Sequence, residues 1–365
     1  MERTRIAIIG CGDVAYRHYL PALADLADRV EIRAVVDARP ESADRAAAFV
    51  ARWSPNAVAC VDVPAMVAAG DVDAAINLTP APGHADVSQA CLDAGLHVYS
   101  EKPIAGTLAD ADRLIDTARK RGLLLLCAPG VAVTERFRWL AAVVDSERLG
   151  RLTLAVAQHA DTGPATWREY TGDPTPFYAA GVGPVFDHGV YRLHGLTMLL
   201  GSVRRVQAMG TISSPTCLVR AGPLAGKTIP VTTPDHVLMN LEFESGALGQ
   251  LLTSFAAPAT LAPWMELQFE RGTISLGGES SDPEAPARLY IDDESALGLE
   301  GWVDSVQLPP DVGAVEAGAR HFVACLRGDA KPVLTAEHAR HVLDIILKSY
   351  DSIEDGRSHD TETTF

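Results

Sequence analysis

A glycine-rich turn near the start of the chain constrains the fold more than any other feature of the sequence. The turn, GCGDVA at positions 10–15, follows a short apolar run at 6–9 that is typical of a strand buried on both faces. It matches the pattern GxGxxG/A, in which the first glycine permits a tight turn and the second lets backbone approach a pyrophosphate. Glycine turns are common, so the pattern is informative only if its surroundings also fit.

The segments that follow the turn fit a dinucleotide-binding unit. A helix with apolar residues at helical spacing comes next, and its free N–H groups would face phosphates. A second strand at 31–37 ends in Asp37, 22 residues after Ala15, where an acid would accept a ribose 2′-hydroxyl. Because a carboxylate repels a 2′-phosphate, we predict NAD as the cofactor, while the nearby Arg39 keeps NADP open. The alternative is that Asp37 is only a turn residue.

The alternation of strand and helix continues to residue 127. We predict further strands at 57–60, 74–78, 95–99 and 123–127, with helices between them. Six strands with intervening helices make a Rossmann fold, which is a doubly wound parallel α/β sheet. Ala128-Pro129-Gly130 marks the expected junction, so the predicted domains are a dinucleotide-binding domain at 1–127 and a second domain at 128–365.

Two polar segments follow strands of this sheet, at the edge where open α/β sheets bind ligands. Thr79 and Pro80 come after the fourth strand, and Glu101-Lys102-Pro103 comes after the fifth, so a cofactor and a substrate could both reach Lys102. His84 is either an ordinary first residue of a helix or a contact lining the cofactor cleft. The predicted dinucleotide-binding residues are Gly10, Gly12, Asp13, Val14, Ala15, Asp37, Thr79, Pro80, His84, Glu101 and Lys102.

The second half of the chain changes its period. We predict strands at 152–157, 203–209, 237–243, 248–255 and 265–270. No long helices separate these strands, so we expect a mostly antiparallel, open-faced sheet in an α+β domain. Helices are predicted near 135–148, 314–327 and 336–353. The stretch 277–300 is rich in serine, glycine and aspartate, and we expect an exposed loop there.

One helix of the second half carries polar residues in a helical pattern. Asp187, Tyr191 and His194 are spaced i, i+4 and i+7, so they share one face, and Pro184 suits the first turn. Gly189 inside the helix costs about 1 kcal/mol relative to alanine, which suggests close approach of another group. The alternative is an ordinary solvated face, which the apolar residues on the other side of the helix disfavour.

The loop before this helix is rich in aromatic residues. Trp167, Tyr170, Phe177 and Tyr178 could stack on the C–H face of a sugar or could simply fix the loop, and the sequence leaves both interpretations open. The predicted substrate-binding residues are Lys102, Arg168, Tyr178, Asp187, His188, Tyr191 and His194.

Composition narrows the classes of partner. The chain has 365 residues and a net charge of −16, and such a surface repels phosphate backbones and anionic lipid, so we expect neither nucleic acid nor membrane as a partner. The longest apolar runs are too short to cross a bilayer, and the N-terminus lacks the features of a signal peptide. The six cysteines include no CxxC pair, so we expect reduced thiols in a cytoplasmic protein and no metal site.

Taken in this order, the motifs resemble those of the Gfo/Idh/MocA family, named after glucose–fructose oxidoreductase, inositol dehydrogenase and a rhizopine-catabolism protein. The resemblance covers nearly the whole chain. It rests on GxGxxA at 10–15, Thr79-Pro80-x-x-x-His84, Glu101-Lys102-Pro103, Arg136-Phe137 and Gly183-x-x-x-Asp187-x-Gly189. It implies that Lys102 contacts both the nicotinamide ribose and the reacting hydroxyl.

The chain departs from the commonest form of the family's helix motif. That motif has a histidine and a second aspartate where this chain has Tyr191 and His194. In this respect the chain is similar to the family branch that carries a tyrosine, which implies tyrosine acid–base chemistry with Lys102, Tyr191 and Asp187 as catalytic residues. The resemblance also implies a homodimer or homotetramer formed through the C-terminal sheet.

Our main hypothesis is an NAD(P)-dependent oxidoreductase that acts on CH–OH groups. It would move a hydride between nicotinamide and a secondary alcohol or ketone of a sugar, polyol or sugar derivative. Two alternatives stay open. One is a net non-redox enzyme that holds NAD tightly, as some relatives with glycosidase activity do. The other is a non-catalytic sensor, since a galactose-regulon repressor shares the fold, although the presence of Lys102, Asp187 and Tyr191 argues against it.

Overall fold

The chain forms two compact units that are not continuous in sequence. The computed structural model describes residues 3–168, 170–277, 287–293, 299–306, 308–309 and 312–365. The first unit comprises residues 1–133 and 313–343, and the second comprises residues 134–312 and 344–365. The domain boundary after residue 127 stays a prediction.

The first unit is built on a six-stranded parallel sheet. Its strands are β1 (Thr4–Ile9), β2 (Val30–Val36), β3 (Val58–Cys60), β4 (Ala74–Asn77), β5 (His97–Ser100) and β6 (Leu125–Cys127). They lie in the order β3-β2-β1-β4-β5-β6, and every neighbouring pair is parallel. This is the strand order of a Rossmann fold, so the predicted fold of the first half is confirmed.

Helices connect these strands. They are α1 (Leu20–Ala24), preceded by a π-helical turn at Ala15–Tyr19, α2 (Pro40–Val50), α3 (Val63–Ala69), α4 (His84–Asp93) and α5 (Leu108–Arg121). Both ends of α5 lie where its sequence places capping residues. The Thr107 side chain accepts a hydrogen bond from the Asp110 N–H, and Gly122 ends the helix in the left-handed conformation.

The second unit is built on a nine-stranded sheet. Its strands are β7 (Leu152–Ala160), β8 (Val203–Thr211), β11 (His236–Phe243), β12 (Leu248–Ser254), β13 (Met265–Phe269), β14 (Gly272–Leu276), β15 (Ala287–Asp293), β16 (Leu299–Val306) and β17 (His359–Asp360). Their order is β16-β15-β14-β13-β7-β12-β11-β8-β17. Only β7 and β12 run parallel among these pairs of described strands, so the predicted mostly antiparallel sheet is confirmed. A separate hairpin joins β9 (Thr216–Leu218) to β10 (Thr228–Pro230).

Four further helices complete the described chain. They are α6 (Glu135–Asp145), α7 (Val190–Leu200), which a π-helical turn at Val185–Gly189 precedes, α8 (Ala314–Leu326) and α9 (Ala336–Asp355). No helix in the described ranges is long and apolar enough to cross a membrane.

The expectation of a loop at 277–300 is wrong where the structure describes that stretch. Residues 287–293 form β15, which pairs with β14, and β16 begins at Leu299. The local sequence is polar, but its backbone groups complete a ladder along the edge that β14 would otherwise leave unpaired. Residues 278–286 and 294–298 lie outside the described part of the chain.

Within the first unit, the segment after β6 packs against α8 with almost no space between the backbones. A Cβ atom on Gly130 would overlap the backbone of Ala314 and Gly318, and a Cβ on Gly318 would overlap the Tyr99 hydroxyl. Backbone atoms cannot move aside as the end of a flexible side chain can, so glycine is required at position 130. At position 318 a side chain would have to displace the ring of Tyr99, which is fully buried.

We predict that Gly130→Ala destabilises the protein by about 1–3 kcal/mol, which is the usual cost of overpacking. The matched control is Gly106→Ala, because a Cβ there would meet no described atom within 4 Å. Thermal unfolding of both variants checks this. Equal transition temperatures in the two variants would contradict the close packing of α8.

Candidate active site

The glycine turn has the geometry that its sequence predicts. Gly10 has a φ of +95°, and a Cβ there would lie 2.6 Å from the Leu78 carbonyl group, so no other residue fits without strain. Gly12 is exposed, and no described heavy atom would lie within 4 Å of a Cβ built on it. Ala15 is fully buried against the core. The turn therefore leaves open space beside Gly12, where a pyrophosphate could approach the backbone.

Asp37 is tied to this turn by backbone hydrogen bonds. Its Oδ2 accepts from the Cys11 N–H at 3.0 Å, and its Oδ1 accepts from the Arg39 N–H at 3.0 Å. Arg39 also brings its guanidinium Nε to 3.5 Å from Oδ1, although its side chain is largely exposed. Asp37 therefore stabilises the turn through hydrogen bonds to the backbone. Each carboxylate oxygen keeps a further lone pair, which a ribose hydroxyl could use.

His84 joins the loops that follow β4 and β5. It is the first residue of α4 and is almost fully buried, with Nε2 2.6 Å from the Thr79 carbonyl oxygen and Nδ1 2.7 Å from that of Pro103. Asn77 supports the same loop, because its Oδ1 accepts from the Thr79 hydroxyl at 2.7 Å. Asn77 was not identified from the sequence. An amide side chain at the end of a buried strand could have indicated that it holds the following loop. Both interpretations of His84 are therefore compatible with its position.

Glu101 anchors the segment that carries Lys102. Its carboxylate is buried, and it accepts from the Tyr19 hydroxyl at 2.7 Å and from the Lys102 N–H at 2.9 Å. Tyr19 belongs to the π-helical turn behind the glycine loop, so one carboxylate connects that turn to the end of β5. Lys102 itself is half-buried, and the Lys102–Pro103 peptide bond is cis. Nothing in the sequence around Tyr19 pointed to this contact.

In the second unit, the start of the helix around Gly189 packs closely on the sheet. A Cβ on Gly189 would lie 3.0 Å from the Thr253 Cγ2 atom of β12, which explains the glycine. Asp187 is 9% exposed and His194 is 4% exposed, while Tyr191 is half-buried. These residues therefore do not form an ordinary solvated face.

His188 lies among aromatic rings. Its ring centroid is 3.6 Å from that of His159 and 5.2 Å from that of Trp167, whose ring is stacked nearly parallel to it. Phe255 packs edge-on at 5.5 Å. The His188 Nε2 atom lies 3.3 Å from the Asp187 Oδ2 atom, and only about a tenth of either side chain is exposed. The structure thus pairs a buried carboxylate with an enclosed imidazole.

Arg192 is a buried cation that reaches the same rings. Its Nε donates to the Gln158 carbonyl oxygen at 2.9 Å, its Nη2 lies 3.3 Å from the His159 Nδ1 atom, and its guanidinium lies 4.9 Å from the Trp264 ring centre. Burial lowers the pKa of Arg192 to about 10. Sequence reasoning missed Arg192 and His159, because nothing local indicates that a strand residue and a helix residue meet.

Asp161 lies at the other side of His159. Its Oδ2 is 3.7 Å from the His159 Nε2 atom and accepts from the Trp167 indole N–H at 3.1 Å. Burial alone would raise the pKa of Asp161, but the hydrogen bond from His159 and the charge of His188 outweigh it and hold that pKa below its ordinary value.

Three of these side chains could approach a cation. Ligand atoms of His159, Asp161 and His188 lie within 4.8 Å of one another. A neutral imidazole has a single lone pair, however, and Arg192 takes the one on His159. The Trp167 indole N–H also donates a hydrogen bond to Asp161 Oδ2. The arrangement suits hydrogen bonding better than metal binding, so we do not assign these residues as metal ligands.

The aromatic loop divides into a buried part and an exposed part. Tyr178 is 2% exposed and packs with Phe255, Val219 and Ile229 in a small core, while its hydroxyl accepts from the Ala165 N–H at 3.2 Å. This placement leaves the Tyr178 ring no surface for a substrate in this conformation and agrees with a role in fixing the loop. Arg168 is exposed. The assignment of these residues to substrate binding stays a prediction.

Known protein families match this chain along most of its length. Residues 4–128 match a family profile described as an oxidoreductase family with an NAD-binding Rossmann fold, and residues 137–275 match the GFO/IDH/MocA C-terminal domain. A dTDP-3,4-didehydro-2,6-dideoxy-alpha-D-glucose 3-reductase from Actinomadura kijaniata is 29% identical over 277 residues, which cover 72% of this chain and 79% of that protein. The D-glucoside 3-dehydrogenase of Escherichia coli (strain K12) is 26% identical over 362 residues, covering 96% of each.

A solved structure agrees with the fold. The WlbA dehydrogenase from Bordetella pertussis, in complex with NADH and UDP-GlcNAcA, has a TM-score of 0.75 and 21% sequence identity, and the match covers 98% of each chain. At this identity the likeness supports the fold alone. The sequence profiles decide the family: this chain belongs to the Gfo/Idh/MocA oxidoreductases and carries their NAD-binding Rossmann domain.

Proposed function

We propose that this protein oxidises a secondary hydroxyl of a sugar or sugar derivative, or reduces the corresponding ketone, with NAD. The observation that carries the proposal is the helix start in the second unit, where a buried Asp187 and a half-buried Tyr191 lie one helical turn apart. Buried carboxylates are costly to retain without a use, and a phenol is an acid–base group. The Rossmann unit contributes Lys102 at the carboxyl edge of its sheet.

The residues of the first unit fit a dinucleotide. The open space beside Gly12 admits a pyrophosphate, and the remaining lone pairs of Asp37 suit ribose hydroxyls. Thr79, His84 and Glu101 hold the neighbouring loops in place. We assign these residues, together with Gly10, Asp13, Val14, Ala15, Pro80 and Lys102, to cofactor binding. Bound NAD would accept or supply the hydride.

The substrate class follows from the relatives. The reductase from Actinomadura kijaniata and the dehydrogenase from Escherichia coli are named for reactions at position 3 of a sugar. We carry over only what these names share, which is a secondary carbinol or ketone on a sugar ring. Lys102, Arg168, Asp187, Tyr191 and His194 stay our candidates for contacts with that sugar, whereas the enclosed ring of His188 disfavours such a contact.

In the direction of oxidation, we assign the proton transfer to Tyr191. In oxidation the hydroxyl proton of the sugar would pass to a Tyr191 phenolate oxygen, and in reduction the Tyr191 phenol would return it to the forming alkoxide. Lys102 binds and orients the reacting hydroxyl. The rival assignment gives the proton to Lys102 alone and leaves Tyr191 as a hydrogen-bonding contact.

The assembly of the protein is a separate proposal. The open face of the large sheet exposes apolar side chains, among them Met209, Leu238 and Leu248, and Met209 and Leu238 are direct cross-strand neighbours. We propose that this face joins copies in a homodimer or homotetramer. Light scattering tests it, since a monomer of 38.8 kDa in solution would contradict it.

The function is tested by a screen of cyclitols, free sugars, glycosides and nucleotide sugars with NAD and NADP in parallel. We expect absorbance of NADH to rise with at least one sugar, and kcat/KM to favour NAD because Asp37 opposes a 2′-phosphate. A tenfold or greater preference for NADP would overturn the role of Asp37. Turnover without any change in the redox state of the cofactor would instead favour the non-redox alternative.

The proton assignment is tested by Tyr191→Phe, which removes only a hydroxyl. We expect kcat to fall by roughly 10²-fold or more while dinucleotide affinity stays nearly unchanged. Tyr290→Phe is the matched control, since it removes a hydroxyl that bonds Glu300 elsewhere in the same unit. A fall of less than about fivefold in Tyr191→Phe, together with a large loss in Lys102→Ala, would assign the proton to Lys102.

A further inference from the structure

The enclosure of His188 makes a direct contact with substrate a poor explanation of this residue. His159 and Trp167 cover its two faces, Phe255 covers an edge, and 11% of its side chain is exposed. Its Nε2 atom lies 3.3 Å from Asp187 Oδ2, within ion-pair distance. The ring is therefore enclosed beside a carboxylate that the proposed function places at the substrate.

Arg192 determines the protonation of the neighbouring ring. A guanidinium can only donate hydrogen bonds, so the His159 Nδ1 atom, 3.3 Å from Arg192 Nη2, must present its lone pair. A neutral His159 then carries its proton on Nε2, which lies 3.7 Å from Asp161 Oδ2. A proton on Nδ1 would break the contact with Arg192. A proton on both nitrogens would also place a second positive charge beside a buried guanidinium.

The stacked histidines cannot both be charged at low cost. Their ring centres are 3.6 Å apart, so two imidazolium ions would repel each other strongly. The charged groups that face the pair are Asp187 at the helix start, Asp161 after β7 and Arg192 on α7. Asp161 attracts a cation on either ring, and Arg192 disfavours one on His159. The Asp187 carboxylate and the Trp167 face favour one on His188. A proton held by this pair therefore belongs on His188.

We propose that His188 is a positioning residue for catalysis, an imidazolium whose charge lies 3.3 Å from the Asp187 carboxylate and keeps that carboxylate ionised and in place. Arg192 directs the proton to His188 because it holds His159 in the neutral Nε2–H form. The effect on turnover rests on the proposed function, whereas the pattern of protonation does not.

The pattern of protonation can be measured without any substrate. We would label the full-length protein with ¹⁵N-histidine and assign the two rings with His159→Gln and His188→Gln. In spectra recorded at about pH 6 we expect His159 to show one ring proton, on Nε2, and His188 to show both ring protons. A charged His159 beside a neutral His188, or a His159 proton on Nδ1, would overturn the proposal even if the protein proves to be a sugar dehydrogenase.

Kinetics test the consequence for catalysis. His188→Phe keeps a stacked ring but removes the charge beside Asp187, so we expect kcat to fall roughly 10- to 100-fold with KM little changed. Without the adjacent cation Asp187 takes up a proton more readily, so the acid limb of the kcat/KM profile moves up by about one pH unit. His188→Gln also lacks the charge, so its acid limb should move in the same direction. If His188→Phe fails to fold, the pH profile of His188→Gln decides the question.

The matched control is His359→Phe, because His359 forms a similar pair with Asp355, 3.1 Å apart, in the C-terminal segment of the same unit. We expect its kinetics and pH profile to match those of the wild type. A raised KM with an unshifted acid limb in His188→Phe would make His188 a substrate contact. Unchanged kcat and an unchanged profile in that variant would make it a packing residue, and either result overturns the proposal.

Discussion

The buried carboxylate of Glu101 is the contact on which the geometry of the Rossmann unit most depends. It accepts from Tyr19, behind the glycine turn, and from the backbone of Lys102 at the end of β5. These two segments are 82 residues apart in sequence, and a single buried group fixes both. Removing one partner of such a group leaves a buried charge without its hydrogen bonds, which is far more costly than the bond is worth. The position of Lys102 is therefore set by the same contact that sets the glycine helix.

In the second unit, close packing at Gly189 determines where the polar residues lie. Gly189 lets the helix start approach β12 so closely that the Thr253 methyl group occupies the space of a side chain. This approach brings His188 against His159 of β7, which is paired in parallel with β12. Asp187 and His188 are adjacent in the chain, yet the π-helical turn allows both to be nearly buried. Two carboxylates, two imidazoles and a guanidinium then share one small region, and their charges constrain one another.

Much of the fold could be predicted, because its signals are local. The glycine turn, the caps of α5 and the alternation of apolar runs each report on neighbouring residues, and the Rossmann order and the antiparallel sheet are confirmed. The expected loop at 277–300 was wrong where it is described, because β15 owes its structure to the edge of β14 rather than to its own composition. The contacts of Tyr19 with Glu101 and of Arg192 with His159 could not be predicted either, because each joins residues that are distant in sequence.

The account is tested most directly by following the hydride itself. A sugar that carries deuterium on the reacting carbon should transfer one deuterium per turnover to the nicotinamide, detected by mass in the isolated NADH, while the same reaction of unlabelled sugar in D₂O should leave NADH unlabelled. Deuterium that stays on the sugar, or that is lost to solvent while NAD remains oxidised overall, would contradict direct hydride transfer between a sugar carbinol and NAD.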